Sequence, residues 1–261
     1  MPDFDILQRN YSGELYLRYG HSRFHRVTEL LAIAAFVILA AGLGWRVGVS
    51  LDGFAEFIVV ALSIVTGYVL ADLISGIVHW LADRYGTETT PVLGANFIRP
   101  FRQHHIDPKA IAQHDFIETN GSNCIVSAPC MGLAFFLLPL ESSLITTFLL
   151  GGTLAFCLAI FATNQFHKWA HMDTPPRFVT RLRKFSLVLT PEHHDIHHSA
   201  PFDRNYCITS GWWNPFLERV KLFERAENGL AFLTGRRPVK SRPASRQPEA
   251  CSMGTFQFDE E

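Results

Sequence analysis

Four long apolar stretches, 30–45, 57–81, 124–140 and 142–166, constrain this chain more than any other feature. Crossing the hydrocarbon of a bilayer takes a helix of about 20 predominantly apolar residues, with a range of about 17–25. The first stretch carries no charge until Arg46, the second is interrupted only by Asp72 and His79, and the last two are free of charge. Pro129 is placed to kink the third. Glu141 is the only charge between the third and fourth, so these two read as a hairpin with a very short outer turn. Buried helices of soluble proteins this long normally show a polar stripe. The content of 48% hydrophobic and 18% charged residues also fits a membrane class.

Charge distribution orients the stretches. Residues 1–26 carry four arginines, the 46–56 connection one arginine against two acids, and the 82–122 connection three arginines and one lysine. Everything after His167 carries fourteen lysines or arginines. The positive-inside rule then puts both termini and the long central loop in the cytoplasm. Residues 1–26 carry three acids ahead of the first stretch and no small-x-small site follows it, so it is expected to be a retained anchor, not a cleaved signal. The expected fold is all-α: a polytopic membrane protein of four transmembrane helices, at about 29–48, 55–80, 122–140 and 142–164, under a cytoplasmic histidine-rich helical cap. Residues 1–26 form a cytoplasmic arm, 27–225 the membrane domain, and 226–261, rich in arginine, proline and serine with an acidic end, a disordered tail. A net charge of −1 argues against a nucleic-acid binder. The five cysteines are scattered without a C-x-x-C, which favours neither a disulfide scaffold nor a cysteine zinc site.

The chemistry lies in the histidines. "PEHHDIHH" (191–198) packs His193, His194, His197 and His198 into six positions. Thr190 suits an N-cap and Pro191 the first helical position. At about 100° per residue the four rings fall within an arc of roughly 140°. "HKWAH" sets His167 and His171 four apart, and "HWLAD" does the same for His79 and Asp83. "FRQHH" contributes His104 and His105, and "QHDFIE" His114. Taken singly, His79 beside Trp80 could be an interfacial anchor, and His104–His105 near Arg99, Arg102 and Lys109 could contact lipid headgroups. Together, ten histidines and one acid confined to one expected membrane face indicate metal binding. His21 and His25, in the N-terminal arm, read as surface residues. A single zinc takes three or four protein ligands. Eight to ten histidines and a carboxylate therefore fit two ions, of iron or zinc. Two irons beside a membrane suggest O2-dependent attack on a C–H bond of a lipid chain.

Four segments carry a family resemblance: "SGIVHWLAD" (75–83), "FIRPFRQHHIDPKAIAQHDFIETNG" (97–121), "NQFHKWAH" (164–171) and "PEHHDIHHSAPFDRNYCITSGWWNP" (191–215). Over roughly 55–225 the chain resembles the plasmanylethanolamine desaturases, also called the Kua or CarF family, within the histidine-rich membrane di-iron class. Ordinary acyl desaturases use H-x₃₋₄-H and two H-x₂₋₃-H-H boxes. Here Asp83 stands in place of the second histidine of the first box, and Phe101 and Arg102 stand where the second box would begin, departures shared with the ether-lipid family.

The resemblance implies O2-dependent 1′,2′-desaturation of the sn-1 alkyl ether chain of plasmanylethanolamine, giving the vinyl ether of a plasmalogen. It implies two iron ions, with O2 as co-substrate and Asp83 as a ligand or as a partner orienting one. Electrons would come from an external donor such as cytochrome b5 or ferredoxin, because the chain has no flavin or nicotinamide fingerprint. Arg99, Arg102 and Lys109 would hold the lipid phosphate, or serve as positive-inside anchors. The expected location is a bacterial inner membrane or the endoplasmic reticulum. Three other readings stay open: an acyl-chain desaturase of phosphatidylglycerol, as in a plant branch; a lipid hydroxylase of the same di-iron class; and a non-catalytic membrane zinc protein.

Overall fold

The computed structural model describes residues 23–87, 89–91, 93–141 and 143–239. They form nine α-helices: α1 (Arg23–Val49), α2 (Phe54–Arg84), α3 (Arg99–His104), α4 (Phe116–Leu137), α5 (Leu144–Ala170), α6 (Arg177–Lys184), α7 (Pro191–His197), α8 (Asn214–Arg219) and α9 (Leu222–Thr234). A π-helical turn, Gly94–Ile98, leads into α3, and a 3-10 turn, Ala110–Gln113, precedes α4. Among the described residues there is no strand, as expected of an all-α chain.

The long helices α1, α2, α4 and α5 pack as a bundle, α2 most extensively on α5 and α1 on α4. Three of them, α1, α2 and α5, are long and apolar enough to cross a membrane. Only 17–33% of their apolar windows is buried, so most of that surface faces outward. Leu31, Ile38, Phe57, Val65, Phe136 and Ile145 are among the exposed apolar side chains. α4, expected as a further span, differs in its first turns. It starts at Phe116 because Asp115 caps it, the carboxylate accepting from Glu118 N at 2.9 Å. Its polar residues 120–123 turn inward, where Asn123 donates to Ile160 O at 2.6 Å. The helix continues through Pro129 and stops at Leu137, just before Pro139.

Two polar contacts, the first through buried Arg46 and the second half-buried, fix the ends of the bundle. At one end the Arg46 guanidinium donates to Phe135 O (2.7 Å), Leu138 O (3.2 Å) and Pro139 O, closing carbonyls that the end of α4 would leave unpaired. At the other, Glu227 of α9 accepts from Trp80 Nε1 (3.1 Å) and from Arg84 Nε (2.6 Å) and Nη2 (3.0 Å). Phe223 of the same helix packs against Trp80 and Tyr206. These contacts correct the expected tail. Residues 226–234 are helical, and Val239 N still donates to Arg84 O at 2.8 Å. The rest of that tail, and residues 1–22 of the expected N-terminal arm, lie outside the described residues, and α1 has already begun at Arg23.

The α2–α5 contact sets the register of the histidine-bearing ends, and small residues allow it. A Cβ on Gly67 would meet Gly152 O at 2.5 Å and Phe156 N at 2.7 Å, so only glycine permits this backbone approach. Gly48 of α1 has nothing within 4 Å. Gly67→Leu should therefore destabilise the protein by about 1–3 kcal/mol or more, lowering its thermal midpoint in lipid nanodiscs, whereas Gly48→Leu should leave the midpoint unchanged or raise it.

Candidate metal centre

Nine side chains converge at the C-terminal ends of α2 and α5. They fall into two groups, His104, His167, His171, His194 and His198 in one, and His79, Asp83, His105 and His197 in the other. In each group one ligand atom per residue lies within 4.8 Å of all the others. Helical geometry explains the partition. Residues four apart share a face, so His79 joins Asp83, His167 joins His171, and His194 joins His198. Adjacent residues point about 100° apart, so each His-His pair splits: His104 and His198 enter the first group, His105 and His197 the second. Thr190 caps α7 as expected, accepting from His193 N at 3.3 Å.

In the first group the Nε2 atoms face one another: His167–His194 at 2.8 Å, His194–His198 at 3.0 Å and His104–His198 at 3.1 Å. An ion about 2.1 Å from two nitrogens at right angles would hold them about 3 Å apart. In the second group Asp83 Oδ2 lies 2.9 Å from His105 Nε2, 3.3 Å from His79 Nε2 and 3.4 Å from His197 Nε2. The outer nitrogens of two of these rings are already assigned. His79 Nδ1 faces Tyr206 O at 3.1 Å and His197 Nδ1 faces Arg204 O at 2.8 Å. A carbonyl can only accept, so each Nδ1 carries a hydrogen, and each Nε2 is the nitrogen turned toward the carboxylate. Three ring nitrogens around one carboxylate oxygen call for a positive charge among them, a proton on Nε2 or a metal ion. This donor set fits a metal ion.

Electrostatics agrees. Burial, reinforced by neighbouring imidazoles, holds His104 and His194 well below the ordinary histidine range, and burial brings His171 down to about 4. These rings are neutral at pH 7 and their lone pairs are available, as metal ligation requires. The two groups are immediate neighbours. The His105 and His198 ring centroids are 5.0 Å apart, and His194 stacks on His197 at 5.6 Å with 18° between planes. Phe101, Phe202 and Tyr206 pack against the rings of the second group.

Two expected ligands are not brought in. His193 projects from α7 away from both groups and accepts from Asn214 Nδ2 at 2.9 Å. His114 sits one turn from Glu118, its Nε2 3.7 Å from Oε1, on the side of the bundle shared with α4. The three basic residues expected at a headgroup also part company. Arg102 donates to Gly86 O at 2.7 Å and Lys109 to Asp173 at 2.8 Å, whereas Arg99 makes no side-chain hydrogen bond among the described residues. His25, expected as a surface residue, reaches buried Glu29 at 3.3 Å, and His21 lies outside the described residues. Sequence reasoning missed the carbonyls of Arg204 and Tyr206, which carry no side-chain signal. It also noted Asp72 only as an interruption, although an acid inside an apolar stretch is itself a pointer to function.

The partition generates a direct test. The purified protein should hold two metal ions per chain by elemental analysis. Alanine at any of His79, Asp83, His105 or His197, or of His104, His167, His171, His194 or His198, should remove about one or more. His114→Ala and His193→Ala should retain both.

Comparison with known proteins follows this geometry closely. Residues 68–241, which include all nine of these side chains, match the lipid desaturase domain. The chain is 43% identical over 225 residues to the plasmanylethanolamine desaturase of Myxococcus xanthus, covering 85% of this chain and 78% of that one. It is 44% identical over 183 residues to plasmanylethanolamine desaturase 1 of Mus musculus, covering 69% and 68% respectively. Fatty acid desaturase 4, chloroplastic, of Arabidopsis thaliana is 37% identical over 180 residues, 68% of this chain and 54% of its own. No solved structure matches the chain. With its desaturase-type histidine groups at one end of an apolar helical bundle, the chain belongs to the lipid desaturase family.

Proposed function

We propose that this protein is an O2-dependent di-iron oxidoreductase that forms the 1′,2′ vinyl-ether double bond in the sn-1 alkyl chain of plasmanylethanolamine. The observation that carries the reading is the pair of adjacent ligand groups, eight histidines and Asp83, at the end of an apolar bundle. The two relatives named plasmanylethanolamine desaturase supply the substrate. Iron bound by the two groups would supply the oxidation. One hydrogen leaves each of two adjacent carbons, and O2 becomes two waters with two electrons and two protons from a donor.

The chain's own residues hold and shield that centre. Asp83 offsets part of the ions' charge with its carboxylate, and the Arg204 and Tyr206 carbonyls hold His197 and His79 in the required tautomer. Phe101, Phe202 and Tyr206 limit water around the rings.

Depth supports the regiochemistry. His79 lies seven residues, about 10 Å, beyond Asp72 along α2. Asp72 and Thr163 are buried polar residues short of the histidine groups on the two helices that carry His79 and His167. A centre above that level reaches carbons beside the glycerol more readily than the middle of an acyl chain. In this reading α4 is the fourth span, and both termini and the metal end face the cytoplasm of a bacterial cell or the cytosolic side of the endoplasmic reticulum. Arg99, which makes no side-chain hydrogen bond among the described residues, supports headgroup phosphate binding. Arg177, Arg181 and Lys184 on the exposed face of α6 support docking of an acidic electron donor, such as cytochrome b5 or ferredoxin.

Two measurements test the reading. Reporter fusions after residues 48 and 141 should report the external side, and fusions after 110 and 261 the internal side. An external signal at 110 would separate the ligands from the expected electron donor and overturn the topology. Alkyl-ether phosphatidylethanolamine labelled at C1′ and C2′, supplied to membranes with O2 and an electron donor, should lose one hydrogen from each carbon and give an acid-labile product. An alcohol instead would mark a hydroxylase. Change confined to acyl chains, particularly of phosphatidylglycerol, would favour the activity named for the Arabidopsis relative.

A further inference from the structure

Residues 202–214 form an irregular segment that is nonetheless buried over most of its length, from Asn205 to Gly211 without a break. Loops normally stay at the surface because their backbone N–H and C=O groups need partners. Here side chains of the bundle supply them. Asp72 of α2, fully buried, accepts from Ser210 N (2.8 Å) and Gly211 N (2.9 Å) on Oδ1 and from Trp213 N (3.2 Å) on Oδ2. One turn further along α2, Ser75 Oγ accepts from Ile208 N at 3.1 Å. Asn214 bridges the segment internally, accepting from Cys207 N (2.9 Å) and donating to Cys207 O (3.0 Å). Gly211 has φ +79, and a Cβ there would meet His193 Nε2 at 2.9 Å, so the tight turn beneath the carboxylate requires glycine.

The same segment carries the two carbonyls that orient the second ligand group. Arg204 O takes His197 Nδ1 at 2.8 Å and Tyr206 O takes His79 Nδ1 at 3.1 Å. No comparable backbone contact from this segment reaches His104, His167, His171 or His198 among the described residues. We infer that Asp72 is a positioning residue for the His79–Asp83–His105–His197 group, acting through the buried 202–214 segment and touching neither ion nor substrate. An asparagine in its place would turn an N–H₂ toward backbone donors, and the segment would lose part of its anchorage. The carbonyls would then no longer fix both tautomers.

The inference rests on the reading of the nine side chains as metal ligands, and the experiment separates the two. The full-length protein in nanodiscs is loaded with cobalt(II), so the result does not depend on iron, O2 or turnover. Asp72→Asn should hold one ion about as tightly as the wild type and the other about 10–100-fold more weakly, the range expected when a partner of a ligating histidine is removed. Its absorption spectrum should match that of Asp83→Ala and differ from that of His104→Ala. If Asp72→Asn does not accumulate in membranes, Ser75→Ala removes a single hydrogen bond to the same segment and should weaken the same ion to a lesser degree. Unchanged retention of both ions in the accumulating variant, or equal weakening of both, would overturn the inference. A wild-type chain that binds no cobalt would defeat the metal reading itself, and the inference with it.

Discussion

Eight imidazoles and a carboxylate crowd together at the end of a helical bundle, each with a ligand-type atom turned toward its neighbours. The Nε2 atoms of His167, His194, His198 and His104 approach to within 2.8–3.1 Å in successive pairs. His79 and His197 aim their Nε2 atoms at Asp83. Burying so many polar rings together away from water is costly, so the scaffold must hold them. A ligand set held in place beforehand binds its ion without first paying the entropy of collecting flexible side chains.

Three features of the scaffold do the holding. The glycine contact at Gly67 lets α2 and α5 lie close enough for His79–Asp83 and His167–His171 to face each other. Arg46 closes the far end, so the hairpin between α4 and α5 does not fray. At the near end, α9 clamps Trp80 and Arg84 through Glu227, and the buried segment reaches across α2 to Asp72. The bundle is therefore inside-out in a specific sense. Its outer face is apolar, and its polar side chains turn inward to fix loops and helix ends. In the proposed membrane setting, water is not available to satisfy those groups, so each internal bond matters more than it would at a wet surface.

Much of the fold was legible because it depends on local pattern. The stretches 29–48, 55–80 and 142–164 became α1, α2 and α5, with α1 starting six residues earlier and α5 ending six later than hydropathy suggested. The third stretch was displaced toward its N-terminus. Asp115 caps there and residues 120–123 find partners inside the bundle, neither of which hydropathy can register. Helix α9 overlaps the stretch that composition suggested as a tail because it is held by contacts to α2, more than 140 residues earlier in the chain.

The candidate site divides along the same line. Spacing alone determined that His79 pairs with Asp83, His167 with His171 and His194 with His198, because four residues are close to one helical turn. It also determined that these residues could meet only if the helix ends came together. Tertiary structure decided the rest. His104 and His198 are 94 positions apart in sequence and face each other at 3.1 Å. His193 and His114 look like ligands in the sequence, yet the packing of Asn214 and of α4 gives them other neighbours. The orienting groups of the second set are main-chain carbonyls, which every residue possesses, so no residue type could announce them. Identity and spacing set which atoms can ligate; the path of the backbone through space set which of them come together.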